Sequence, residues 1–327
     1  MRLINLLRSA IVLAAVGLLA GCELVVLNPA GDIAAQQGRL IVVATALMLL
    51  IVVPVIVLIL LFAWRYRQNG KAAETDYDPD WHHSTKLELI IWSAPLLIII
   101  ALGALTWITT HQLDPYRPLD RISADKPLSP DVKPLEVEVV SLDWKWLFFL
   151  PEQGIATVNE LAAPVDRPIR FKLTSTHTMN AFYVPDLAGM IYTMPGMETQ
   201  LNAVINKPGE FPGKSAHYSG AGFAGMTFKF HGLSDQDFDA WVAKAKAEGQ
   251  PLSRDAYREL VKPSERNPVQ LFSSVEDQLY QRILNRCVED GQVCMHEIMA
   301  KDAGLQPASA QAAPASETPA SAPQAGH

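Results

Sequence analysis

The sequence predicts an α-helical hairpin of two transmembrane helices followed by an all-β sandwich and a C-terminal helical extension. Three observations predict this architecture. Two apolar runs, residues 40–64 and 87–107, each approach the roughly 20 residues that a bilayer-spanning helix requires. Beyond them, apolar and polar residues alternate with the two-residue period of half-buried strands. From Ser234 the period lengthens to that of an amphipathic helix.

At the N-terminus, Arg2 and Arg8 precede an apolar run over 10–20 that closes in Leu19-Ala20-Gly21-Cys22. A charged start, a short apolar core and small residues before the end make a secretory signal. Its ending resembles a bacterial lipoprotein box, which implies cleavage before Cys22 and a lipid on that thiol. In the mature chain the two spans are joined by a segment carrying Arg65, Arg67, Lys71 and Lys86, against only Arg39 before the first span. The excess of positive charge places the connector in the cytoplasm and both mature ends outside. Trp64, Tyr66, Trp92 and Trp107 lie near the span ends, where amphipathic rings favour the headgroup layer. Arg65 and Arg67 read as cytoplasmic anchors.

The exported part holds nearly 200 residues, enough for one core and an appendage. A formal net charge of −7 argues against a nucleic-acid partner. Leu135, Val137 and Val139 alternate with Glu136 and Glu138; Ile169, Phe171 and Leu173 alternate with Arg170 and Lys172. The same pattern recurs in Leu201, Ala203 and Ile205 and in Met226, Phe228 and Phe230, with Pro195-Gly196, Pro208-Gly209 and Pro212-Gly213 as turn punctuation. Ser234 is the expected N-cap of a helix ending near Gly249, a second helical segment begins at Ser253, and a third covers about 275–288. Cys287 and Cys294 lie in an oxidising compartment, where either a bridge or two thiols is allowed. The expected divisions are a signal at 1–21, a lipid-anchored hairpin at 22–112, a sandwich at 113–232, a helical extension at 233–300 and a tail at 301–327. The tail, rich in Ala, Pro and Ser, lacks the large apolar groups that offset chain ordering and is expected to be disordered.

This order of parts resembles subunit II of the haem-copper respiratory oxidases. Local motifs carry the likeness: Pro164-Val165-Asp166-Arg167-Pro168-Ile169-Arg170-Phe171 resembles that family's strand into its copper domain, Phe182-Tyr183-Val184-Pro185 its Phe-Trp-Val-Pro, Met194-Pro195-Gly196 its Ile-Pro-Gly, and Trp144-Lys145-Trp146 its Trp-x-Trp. The resemblance implies a cupredoxin-like sandwich. In members that accept electrons from cytochrome c, a His before Phe-Trp-Val-Pro and a loop Cys-x-Glu-x-Cys-x3-His-x2-Met hold two coppers. Here those positions fall on Asn180, Ser215, His217, Ser219, Phe223 and Met226, and only the Met is kept. Hydroxyls and a phenyl ring do not replace thiolates and imidazole, so no metal is expected in this chain. A rebuilt copper site from His177, Met179, His217, His231 and Met226 is the competing expectation, weakened by the lack of a cysteine and by Met226 sharing the core alternation.

Loss of that centre points to a donor dissolved in the membrane. The resemblance therefore narrows to subunit II of cytochrome bo-type ubiquinol oxidases, whose complexes oxidise ubiquinol, reduce oxygen to water and pump protons. It implies haem and copper in a partner subunit I, further small membrane subunits, contact with membrane lipids, and a bacterial inner-membrane location with the sandwich in the periplasm. This chain would be a copper-free structural and docking subunit. Glu88, taken alone, is a carboxylate favoured by the positive end of the second helix; the resemblance gives a Glu four residues before Trp92 the role of a proton-channel entrance. Trp144 and Trp146 read as aromatics covering the core or packing against subunit I. The alternatives are a cytochrome c oxidase subunit with an atypical metal site and a non-enzymatic exported lipoprotein serving assembly or copper handling.

Overall fold

A computed structural model describes residues 25–67, 80 and 82–304; the signal segment, Cys22, most of the connector and the chain after residue 304 lie outside the described residues. The two apolar runs form α1 (Asp32–Arg65) and α2 (Thr85–Gln112), each long and apolar enough to cross a membrane. Both begin earlier than hydropathy alone indicates. The two added turns of α1 are rich in helix-favouring Ala and Gln, and they bury Asp32 and Ala34 at the junction with the sandwich and Gly38 against Val26. There the Gly31 N–H donates to the Asp186 carbonyl at 2.7 Å and the Asn206 N–H to the Ala30 carbonyl at 2.8 Å.

Fourteen strands follow among the described residues. A small ribbon, β1 (Arg121–Ser123) with β2 (Lys126–Pro127), covers the junction. The larger sheet begins with β3 (Leu135–Leu142), β4 (Lys145–Leu150) and β5 (Ile155–Val158), and continues with β7 (Pro168–Ser175) and β10 (Thr199–Val204). The smaller sheet has the order β6 (Glu160–Pro164), β12 (Thr227–Leu233), β11 (Gly209–Ser215), β8 (Asn180–Tyr183), β9 (Ile191–Thr193). The alternating residues read from sequence form strands as expected, except that Ile205 lies just past β10 and Met226 just before β12, and β3 runs parallel to β7 with Leu135 opposite Ile169. Between the sheets lies an aromatic core in which Phe182 stacks on Phe228 at 5.3 Å, with Trp146 edge-on to both and Phe148 edge-on to Phe182 and tilted against Phe228.

Two expectations change. Pro212-Gly213 is no turn: both residues lie inside β11, opposite Lys229 and Phe228. Pairing of β11 with β8 is limited to Lys214 and Ser215, so Pro212 sits where that edge is open and its missing N–H costs no ladder bond. The Phe228 ring occupies the space above Gly213, where a Cβ would stand 2.1 Å from the ring.

The extension, expected to be helical, is mixed. It starts as read, with α3 (Asp235–Glu248) capped by the Ser234 side chain and α4 (Arg254–Leu260) capped by that of Ser253. Ahead of the expected third helix the chain forms β14 (Gln270–Val275), which takes only Val275 from that span and pairs antiparallel with β5, while β13 (Gln250–Leu252) pairs parallel with β14. The larger sheet thus gains two strands, and helix resumes only at α5 (Leu279–Leu284), after a left-handed Gln278. A second core forms on that sheet's outer face from Leu147, Phe149, Tyr257, Phe272 and Tyr280. Cys287 is bonded to Cys294, which fixes the start of α6 (Met295–Asp302).

Candidate functional site

Strands β8 and β11 bring Asn180 and Ser215 together in the core, both nearly inaccessible to solvent. The Ser215 hydroxyl lies 3.1 Å from Asn180 Oδ1 and 3.2 Å from the His217 carbonyl. Asn180 Nδ2 donates to the Thr178 carbonyl at 3.1 Å and faces Ser141 Oγ at 3.5 Å; Ser141 in turn meets Thr193 Oγ1 at 2.8 Å. Two positions that would carry copper ligands in cytochrome c-linked relatives are therefore bound to each other in a neutral polar network, as buried polar groups require.

The loop between β11 and β12 places the other positions apart. The His217 ring stands edge-on to Tyr192 at 5.8 Å. Phe223 opens a single 3₁₀ turn and packs against Tyr218. Met226 is fully buried beside Phe228 and Phe230 in the sandwich core. The Ser219 carbonyl accepts the Trp144 indole N–H at 3.1 Å. An amide, two hydroxyls, a phenyl ring, one thioether and one imidazole turned onto Tyr192 do not fit a two-copper centre, which needs bridging thiolates and a pair of imidazoles. The three histidines weighed for a rebuilt site stand apart: His177 lies 3.2 Å from Asp143, His231 lies between Glu160 and Glu210, and His217 packs on Tyr192. Among the described residues no three His, Cys, Asp or Glu side chains converge as a metal site.

Sequence reading missed what covers this loop. Trp144, in left-handed backbone at φ 66°, lies across Gly222, where a Cβ would come within 2.4 Å of the indole. Lys145, which alternation would turn to solvent, is 1% exposed. Its Nζ donates to the Lys262 carbonyl at 2.8 Å and to the Ser264 hydroxyl, and burial pushes its pKa down. Residues 262–267 are thereby pinned beside the loop, with Glu265 against Gly222 and Arg266 against Gly225. Trp146, as read, is core.

Glu138 on β3 was also unforeseen as a titrating group. Burial, with Glu198 and Glu136 nearby, outweighs Lys172 and raises its pKa to about 7. Glu88 occupies the first turn of α2, half exposed, with Oε2 3.5 Å from His83 Nε2. Cys22 lies outside the described residues.

With this geometry in view, comparison with known proteins is direct. The family described as "Cytochrome C oxidase subunit II, periplasmic domain" matches residues 136–233, and "COX Aromatic Rich Motif" matches residues 246–291. The chain is 50% identical over 274 residues to a cytochrome bo(3) ubiquinol oxidase subunit 2 of Pseudomonas aeruginosa, covering 84% of this chain and 80% of that one. It is 48% identical over 269 residues to the protein of the same name in Pseudomonas putida, covering 82% of each. Among solved structures, the periplasmic domain of subunit II of cytochrome oxidase of Bradyrhizobium japonicum aligns at 23% identity and a TM-score of 0.35, over 37% of this chain and 99% of that one.

Proposed function

Because the chain belongs to the family of ubiquinol oxidase subunit 2, a membrane-anchored subunit of a terminal oxidase with a periplasmic domain, we propose that it serves its complex without a redox centre of its own. In this reading ubiquinol delivers electrons within the membrane to haem and copper held by subunit I. The sandwich then acts as a docking and stabilising module. The observation that carries the proposal is the Ser215–Asn180 contact at 3.1 Å, which uses the former ligand positions to satisfy one another. Phe223 supports it by placing a ring with no lone pair where a ligand would be needed.

Cys22 is the proposed site of a lipid anchor. Glu88 is the proposed entrance for protons from the cytoplasmic side: half exposed at the end of a span, it can exchange protons with water and hand them to a path completed by subunit I. The purified complex should consume oxygen with ubiquinol and not with reduced cytochrome c. Turnover with cytochrome c would defeat the copper-free reading. Glu88→Gln should lower proton uptake and turnover several-fold, with subunit assembly unchanged; unaltered pumping would reduce Glu88 to a helix-end carboxylate.

A further inference from the structure

At the outward end of the hairpin, a crevice of about 430 Å³ opens between α1, α2 and the sandwich. Charge of both signs lines it. Asp32, almost fully buried, accepts from Arg121 Nε at 2.9 Å and Nη2 at 3.1 Å and from Gln36 at 2.7 Å. Arg117 pairs with Asp120 at 2.8 Å, and Asp114 also faces the space. A second hollow of about 240 Å³ shares Gln36, Gln112, Leu113 and Arg121 with the crevice and runs on between the two helices.

The residues along this hollow are graded by depth. On α1 they fall at Gln36, Arg39, Leu40 and Val43, and on α2 at Gln112, Thr109 and Leu105, in each case one helix face. Seven residues at 1.5 Å rise cover about 10 Å, and across that distance the lining passes from amides, through a guanidinium and a hydroxyl, to aliphatic side chains. That is the sequence of environments met on passing from the headgroup layer into hydrocarbon. Arg39 is exposed at the middle level and has no acidic partner among the described residues.

We propose that this crevice and hollow form a binding site for one zwitterionic glycerophospholipid. Its phosphate lies on Arg39, its ammonium faces the carboxylates of Asp114 and Asp120, and an acyl chain follows Leu40, Val43 and Leu105 between the helices. The inference rests on the hairpin spanning the membrane. With Asp32 held by Arg121 and Asp120 by Arg117, Arg39 and Asp114 are the charges of the lining without an ionic partner among the described residues; a purely anionic headgroup would leave Asp114 unanswered, a small soluble anion would leave the apolar hollow unfilled, and an uncharged quinol ring would leave Arg39 without a counter-charge.

The test compares the native complex with complexes carrying Arg39→Gln or Leu105→Trp, each purified in mild detergent, with lipid species counted per haem by mass spectrometry. Retained phosphatidylethanolamine should fall by about one molecule per complex in both variants, with quinone content unchanged. Unchanged phospholipid in both variants would overturn the proposal. So would a selective loss of an anionic lipid, or a loss of quinone in place of phospholipid. Alkaline carbonate washing of the membranes, which should leave the subunit embedded in every case, separates failure of the lipid site from failure of the membrane-hairpin reading.

Discussion

Replacing Glu138 by Gln should stabilise the attachment of α5 to the large sheet at alkaline pH and do little in acid. Glu138 points to the sheet's outer face beside a cavity of about 280 Å³ that Phe149 and Tyr280 also line. The charged groups around it are Glu136, itself paired with Lys172 at 3.3 Å and Arg170 at 3.7 Å, and Glu198, which accepts the Tyr280 hydroxyl at 3.2 Å. Its folded pKa of about 7 stands above the ordinary 4.5. Below about 4.5 both folded and opened states hold the proton. Between there and about 7 the opened state releases it while the folded state keeps it, so stability is lost as pH rises and the loss is complete above about 7. The raised pKa corresponds to roughly 3 kcal/mol, and screening at the partly exposed carboxyl reduces this to ~2 kcal/mol, or about 30-fold in the opening equilibrium. Hydrogen exchange of the complex, corrected for intrinsic rates, should show amides of β3 and α5 opening about 30-fold less often in Glu138→Gln at pH 8 and only a few-fold less at pH 5. Equal pH dependence in the two proteins, or a variant less protected at pH 8, would refute the reasoning.

Three further outcomes are expected. Gly213→Ala should destabilise the sandwich by about 3 kcal/mol, because the Phe228 ring is held by Phe182, Phe148 and Trp146 and cannot swing aside; a clear drop in melting temperature checks this. Ser215→Ala leaves Asn180 Oδ1 without its hydroxyl partner in the core, costing about 1–3 kcal/mol, read as a lower midpoint in denaturant. Asp32→Ala should free Arg121 and loosen the junction by about 2 kcal/mol, seen as faster exchange in β1 with the amides of β7 unaffected.

What could be read from sequence was what neighbours along the chain decide. The Ser234 and Ser253 caps are bonds between residues three apart, and the β3 and β7 alternation needs only one buried face. The missing thiolates at positions 215 and 219 are visible in the letters, whereas the Ser215–Asn180 contact joins residues on different strands and is not. The burial of Lys145 is not legible because alternation assumes one wet face, whereas the smaller sheet covers one face of β4 and the extension the other, so that all six of its residues are buried. Strand β14 was hidden for the same reason: Gln270-Leu271-Phe272-Ser273-Ser274-Val275 alternates poorly, and its partner β5 lies far back in the chain. The early start of α1 escaped hydropathy because its first turns are held by the sandwich and not by lipid.

The two borrowed strands of the large sheet set a clock on biogenesis. Val158 ends β5 and Gln270 begins β14, so 112 residues must emerge between the making of an edge and the strand that covers it. At about 5–20 residues per second of synthesis, that edge stands unpaired for roughly 6–22 s. An open strand edge is a template for wrong pairing. The newly exported chain therefore passes through a window in which periplasmic chaperones have their strongest claim on it, and a stop codon before residue 270 would leave that window permanently open.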